Sequence, residues 1–190
     1  MMDTLTDFQF RCIDADRDRI ILQPRRSGST VMQAHLANWR SARGQTVLAM
    51  APNLEMLESG FVDQCLAHGN GVVSAISPPE GSHSIFGLPA PMSERRPGQI
   101  EVDPDFLIVD QPQHMSAEAL EGLKENMLSE DTEVVLAATG GAARSNKDRT
   151  ALDYATSSGG FEIMWATLME QASELPIDRD DVRRTLDTQL

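Results

Sequence analysis

Lysine is almost missing from this chain. Only Lys124 and Lys147 occur among 190 residues, so arginine supplies nearly all the positive charge. Acids outnumber bases 29 to 16, for a formal net charge of −13. That balance counts against a protein that grips nucleic acid alone, which normally shows a basic footprint. DNA contact is therefore expected only through a local basic patch. Arginine pairs at Arg25-Arg26, Arg95-Arg96 and Arg183-Arg184 could form local anion sites, because a guanidinium fork suits phosphate or carboxylate. For the last two pairs, solvated surface and salt bridges are the plainer reading. Cysteine is scarce too: Cys12 and Cys65 stand far apart, without CxxC or Cys/His ligand spacing. Free thiols in a reducing cytoplasm follow. His35, His68 and His83 have no metal-like spacing either. No apolar run approaches the length that spans a bilayer. Met1-Met2-Asp3-Thr4 carries acid where a secretory leader would carry basic residues. The expected protein is cytoplasmic, with no membrane partner, and it has neither internal repeats nor a low-complexity tract.

Present instead are apolar runs alternating with helical periodicity. Arg19 to Gln23 reads as a strand bounded by Pro24, and Val31 to Arg43 as a helix stopped by Gly44. Gln45 to Ala51 is a second strand, apolar enough for burial on both faces. Asn53 can cap a helix from Leu54 to about His68, weakened by Gly60. Val72 to Ile76, Phe106 to Asp110 and Glu133 to Thr139 read as further strands, with a helix from Ser116 to about Leu128. Ser77 to Gly98, rich in proline, reads as a long irregular excursion. Ala151 to Ala172 reads as mainly helical, interrupted at Ser157 to Gly160. Before the first strand, Phe8 and Phe10 are placed as anchors and Asp14 to Asp18 as a turn. Trp39, Trp165 and the methionines are assigned to helical core positions. The pattern predicts an α/β domain over residues 1–175, with a mainly parallel sheet and helices on both faces, and a charged tail over 176–190.

In such sheets ligands sit beyond the carboxyl ends of the strands. Three ends are chemically loaded: Arg25 to Thr30, Asp110 with Gln111, and Thr139 to Gly141. The first is the most telling. Ile20-Ile21-Leu22 leads through Pro24 into Arg25-Arg26-Ser27-Gly28-Ser29-Thr30, which opens a helix. Strand, glycine-containing loop and helix N-terminus together make a phosphate site from backbone N–H groups and the positive helix end. Thr30 can offer a hydroxyl to Mg²⁺, Asp110 can hold the metal's water shell, and the N–H groups of Ser27 to Thr30 can receive phosphate oxygens.

These stretches, with Gly44 to Asn53 (GQTVLAMAPN), Phe106 to Met115 (FLIVDQPQHM) and Val134 to Gly140 (VVLAATG), resemble the ATPase core of P-loop motor proteins. They are similar to superfamily-two helicases and, more closely, to phage terminase large subunits. Phe8-Gln9 resembles the family's adenine-side segment. The resemblance implies one P-loop NTPase domain of the RecA type with ATP and Mg²⁺ as ligands. It places Arg25, Arg26, Ser27, Gly28, Ser29 and Thr30 at the phosphates, Thr30 and Asp110 on the metal, and Gln111 beside the attacking water. Arg144 takes the place of an arginine finger or sensor, with surface solubility as the plainer alternative. His114 is either a nucleotide sensor or a hydrogen-bonded structural histidine.

Two positions depart from the family pattern. Ser29 stands where the Walker A loop has lysine, and Gln111 where the Walker B box has glutamate. Glutamine can orient water but is a poor proton acceptor, and positioned charge carries much of phosphoryl-transfer catalysis. Hydrolysis is then weak or lost, or the chain is an active variant in which Arg25 or Arg26 replaces the lysine. The function so implied is viral DNA packaging or particle assembly, in host cytoplasm or virion. The alternative is a non-enzymatic scaffold, a pseudo-ATPase that binds a protein partner or its own copies. Beyond residue 150 only Asp178, Asp180 and Asp181 cluster, in one charged stretch unlike a nuclease centre.

Overall fold

Every strand of this sheet runs in the same direction. The computed structural model describes residues 5–24, 27–69, 73–74, 85–89, 103–126, 128–140 and 149–167. The strands are β1 (Arg19–Pro24), β2 (Val47–Ala51), β3 (Val73–Ser74), β4 (Ile85–Pro89), β5 (Phe106–Asp110), β6 (Glu133–Gly140) and β7 (Glu162–Trp165). They form one seven-stranded sheet in the order β3-β4-β2-β5-β6-β1-β7, with all pairs parallel. The helices are α1 (Asp7–Asp14), α2 (Ser29–Ala42), α3 (Asp63–His68), α4 (Ala117–Asn126) and α5 (Ala151–Ser158).

Side chains alternate across a strand, and here both faces are covered, as a parallel sheet requires. Ile20, Leu48, Met50, Leu107, Val109 and Leu136 pack with Leu120 and Leu123 of α4 and with Ala151 and Ala155 of α5. Ile21, Val47, Ala49, Ile108 and Val135 pack on the other side, with Phe8 and Cys12 of α1, Met32 and Leu36 of α2, and Cys65 of α3. The α/β class and two-sided helical cover match the sequence expectation. Among the described residues no helix is long and apolar enough to cross a membrane.

Several element assignments need correction. The stretch before β1 is a helix, α1, because Thr6 caps it. The Thr6 hydroxyl accepts from Gln9 N (3.2 Å) while Gln9 Oε1 accepts from Thr6 N (3.0 Å), a reciprocal capping box. Phe8 is buried as expected, but Phe10 points outward. The region read as an irregular excursion contains β4, seated between β3 and β2. Gly87 explains why a glycine is tolerated inside that strand: a Cβ there would meet Leu57 Cδ2 at 2.8 Å. The stretch expected as a helix from Leu54 to His68 is helical, but Met56–Val62 is wound as a π-helix before α3 begins.

The largest correction lies after residue 158. α5 is capped by Thr150, whose hydroxyl accepts from Asp153 N (3.1 Å), and it ends at Gly159 in the left-handed region, φ 73°. The chain then forms β7 alongside β1 instead of continuing as a helix. Trp165, assigned to a helical core position, sits on that edge strand and is 65% exposed. The tail at 176–190 lies outside the described residues.

The amino ends of the strands hold a buried charge cluster. Arg19, fully enclosed, donates to Glu133 and to Arg17 O (2.8 Å). Arg40 of α2 reaches Glu133 Oε2 at 2.9 Å and Asp16 at 3.2 Å, and its guanidinium lies 4.7 Å from the Phe106 ring centroid. This cluster sits at the opposite end of the strands from the loaded loops. It is a brace for β1, α2 and β6.

Candidate functional site

The order β5-β6-β1 brings the carboxyl ends of three strands side by side, with Asp110 in register with Ala137 and Pro24 in register with Gly140. Ser27 follows β1 and is buried. Its hydroxyl lies 2.8 Å from Pro24 O and 3.1 Å from Gln23 Oε1, sharing one proton between two acceptors. From α1, the Gln9 amide donates to Ser27 O (2.7 Å) and to Gln23 Oε1 (3.1 Å). Those two bonds pin the loop to α1 and use both N–H groups of Gln9. Gln9 thereby acts on the loop.

Gly28 then takes φ +78°, ψ 26°, a left-handed conformation that an L side chain adopts at a cost. Its carbonyl accepts the first intrahelical bond, from Met32 N at 2.9 Å. Ser29 and Thr30 therefore begin α2, where the first N–H groups have no helical partner and face outward at the positive end of the helix. Ser29 is buried and Thr30 half-buried. The strand–loop–helix geometry expected of Ser27, Gly28, Ser29 and Thr30 is present.

Across from it, Asp110 ends β5 almost fully enclosed, and burial pushes its carboxyl above the usual carboxylate range. Asp110 Oδ1 accepts from Gln33 Nε2 at 2.9 Å, and the same nitrogen lies 3.3 Å from Ser29 Oγ. Gln111 follows with φ 56°, the one non-glycine residue at positive φ among the described residues. Such strain persists where surrounding bonds hold it. Here Gln111 N donates to Ala137 O (3.0 Å) and Gln111 Nε2 to Thr139 Oγ1 (2.7 Å), while Gln111 Oε1 accepts from Gln113. Gln111 thus ties the end of β5 to the end of β6. His114 is half-buried in the short 3₁₀ turn Pro112–His114, its backbone N–H bonded to Gln111 O at 3.0 Å. Arg25, Arg26 and Arg144 lie outside the described residues.

The structure adds Gln33 and Gln113 to the site and ties Gln9, already singled out beside Phe8, to the loop. The sequence carried one usable signal, the four-residue step from Ser29 to Gln33, which puts both on one face of α2.

A Mg²⁺ ion that took Asp110 Oδ1 would have to displace Gln33. The Asp110 oxygen nearest α2 is already engaged by an amide N–H₂, a donor that offers a cation nothing. Among the described residues no group of three or more His, Cys, Asp or Glu side chains is placed to hold a metal ion.

No family model matches the chain, and no curated protein matches it in sequence. Solved structures do match in fold. A large terminase from a thermophilic bacteriophage superposes with a TM-score of 0.67 at 8% identity, over 95% of this chain and 49% of that one. The UvsW helicase of bacteriophage T4 gives 0.64 at 12% identity, over 85% of this chain and 60% of that one. The ATPase domain of the Thermus phage P74-26 large terminase gives 0.56 at 15% identity, over 90% and 84%. The fold is the RecA-like fold of helicase and terminase ATPase domains. The chain spans about half of the first of these terminases and three-fifths of UvsW.

Proposed function

We propose that this chain is a terminase-like P-loop protein that serves viral DNA packaging or particle assembly, with ATP hydrolysis weak or lost. The observation that carries the loss is the state of Gln111. Its amide nitrogen donates to Thr139 and its oxygen accepts from Gln113, so both ends are held in the network and a water there must compete with those partners. Ser29 adds to it: a short hydroxyl stands where a lysine would neutralise terminal phosphate charge. The RecA-like fold supports the structural half of the proposal. ATP with Mg²⁺ is the ligand this fold would present, and the amide on Asp110 weighs against its productive binding here.

The working form is then a scaffold, a pseudo-ATPase that binds a protein partner or its own copies. A net charge of −13 favours a basic protein surface as that partner and confines DNA contact to a local patch such as Arg25-Arg26. Thermal melting with and without millimolar Mg-ATP, alongside a phosphate-release assay, tests this. The expected result is no shift in melting temperature and no turnover, since a ligand that binds the native state must stabilise it. Rapid multiple turnover by the wild type that disappears in Asp110→Asn would overturn the proposal.

A further inference from the structure

Gln33 is fully enclosed, one turn into α2. Its Nε2 lies 2.9 Å from Asp110 Oδ1 and 3.3 Å from Ser29 Oγ, so a single amide spans the gap between the start of α2 and the end of β5. Its Oε1 is buried without a hydrogen-bond partner among the described residues. Beside a carboxylate the amide must present N–H₂, because two facing oxygens would repel. No cation forms an ion pair with Asp110 among the described residues. A buried carboxylate left alone is costly, and among the described residues the groups answering it are the amides of Gln33 and Gln111.

We propose that Gln33 is a built-in substitute for a cation: its amide occupies Asp110, holds the phosphate-loop helix to β5 and excludes a divalent metal from that carboxylate. This rests on the proposed loss of hydrolysis and supplies its physical agent. Amide hydrogens and a metal compete for the same lone pairs of Oδ1. A metal that displaced Nε2 would leave it with Ser29 Oγ as the one remaining acceptor in a buried site. Because Gln33 Oε1 has no hydrogen-bond partner among the described residues, the side chain would then be poorly satisfied at both ends, a penalty set directly against metal binding.

The test uses Mn²⁺ alone, without nucleotide, followed by the paramagnetic signal of the free ion over the full chain. Surface carboxylates bind Mn²⁺ weakly, so the site-specific part is what Asp110→Asn removes. The wild type should show no such part at millimolar Mn²⁺. Gln33→Ala removes the competing donor, and Gln33→Glu keeps the shape while replacing it with an acceptor. Both should bind at least about tenfold tighter than the wild type, and Asp110→Asn added to either should erase the gain. Melting temperature should rise with Mn²⁺ in the two single variants only.

Wild-type binding that Asp110→Asn removes would overturn the proposal. So would folded Gln33 variants with no gain in affinity. If one variant fails to fold, the other decides. If neither folds without metal, rescue by Mn²⁺ supports the exclusion role and absence of rescue overturns it. Failure here, with a wild type inert toward Mg-ATP, would remove Gln33 as the agent and leave the loss of hydrolysis standing.

Discussion

Asp110 stands at the end of β5 with an electrostatic cost that follows from where it sits. Burial raises its carboxyl above the ordinary value of 3.8, and hydrogen bonds from Gln33 and Gln111 offset only part of that. A carboxyl raised in the folded state contributes stability that is complete below its unfolded value and is lost as pH climbs through its folded value. Asn at the same position carries no such charge and still offers an oxygen to Gln33. Asp110→Asn should therefore stabilise the protein by about 1 kcal/mol at neutral pH, the usual gain when a costly site residue is replaced. Urea melts across a pH series should show the difference smallest near 3.8 and widening as pH rises. A variant less stable than the wild type at neutral pH would contradict this. At this scale the sequence was half legible. Ser29, Thr30, Asp110 and Gln111 could be placed because apolar runs and turn residues mark strand ends. Gln33 and Gln113 could not, and Gln9 was marked only through the resemblance, since an uncharged amide announces its partners by neither charge nor ligand spacing. Only folding shows that these amides meet in one network.

Elements were legible where periodicity was long and ambiguous where it was short. The buried strands β2, β5 and β6 stand out as continuous apolar runs, and α2 has three turns of regular spacing. β4 was hidden because prolines and glycines crowd around its five residues, and turn chemistry outweighs a short apolar run. β7 was hidden because Glu162 to Trp165 continues the apolar spacing of α5, and only the three residues from the left-handed Gly159 to Phe161 separate the two. Glycine substitutions can separate these cases by experiment. In the interior of α4, a Cβ on Gly122 meets nothing within 4 Å. Gly122→Ala should add about 0.5–1 kcal/mol of stability. Gly28→Ala should do the opposite, costing about 1–2 kcal/mol, because φ +78° is strained for alanine whatever the room around it. Denaturant midpoints at unchanged m-value would show both. Equal effects of the two substitutions would mean that the loop conformation is not required by the fold.

At the scale of the whole molecule, the alternation of apolar runs and helices was enough for the class, the parallel direction and the two-sided cover. Strand order was not legible, because nothing local in β1 says that β6 and β7 will flank it. That order has a kinetic consequence. β1 begins the described sheet in sequence, yet its hydrogen-bonding partners are β6 and β7, the last two strands made. The brace at the amino ends has the same reach, since Arg19 and Arg40 wait for Glu133. The first strand and the phosphate loop it carries must therefore stay unpaired while more than half of the chain emerges from the ribosome. Pairings this distant in sequence close slowly, on the order of milliseconds to seconds. Stopped-flow refolding should show the Trp39 and far-ultraviolet signals of α2 arriving together with β6, not ahead of it. Until then Ile20 and Ile21 are exposed on an open strand edge, and such edges aggregate. For this protein, the residues that define its site are also the ones most in need of protection during synthesis.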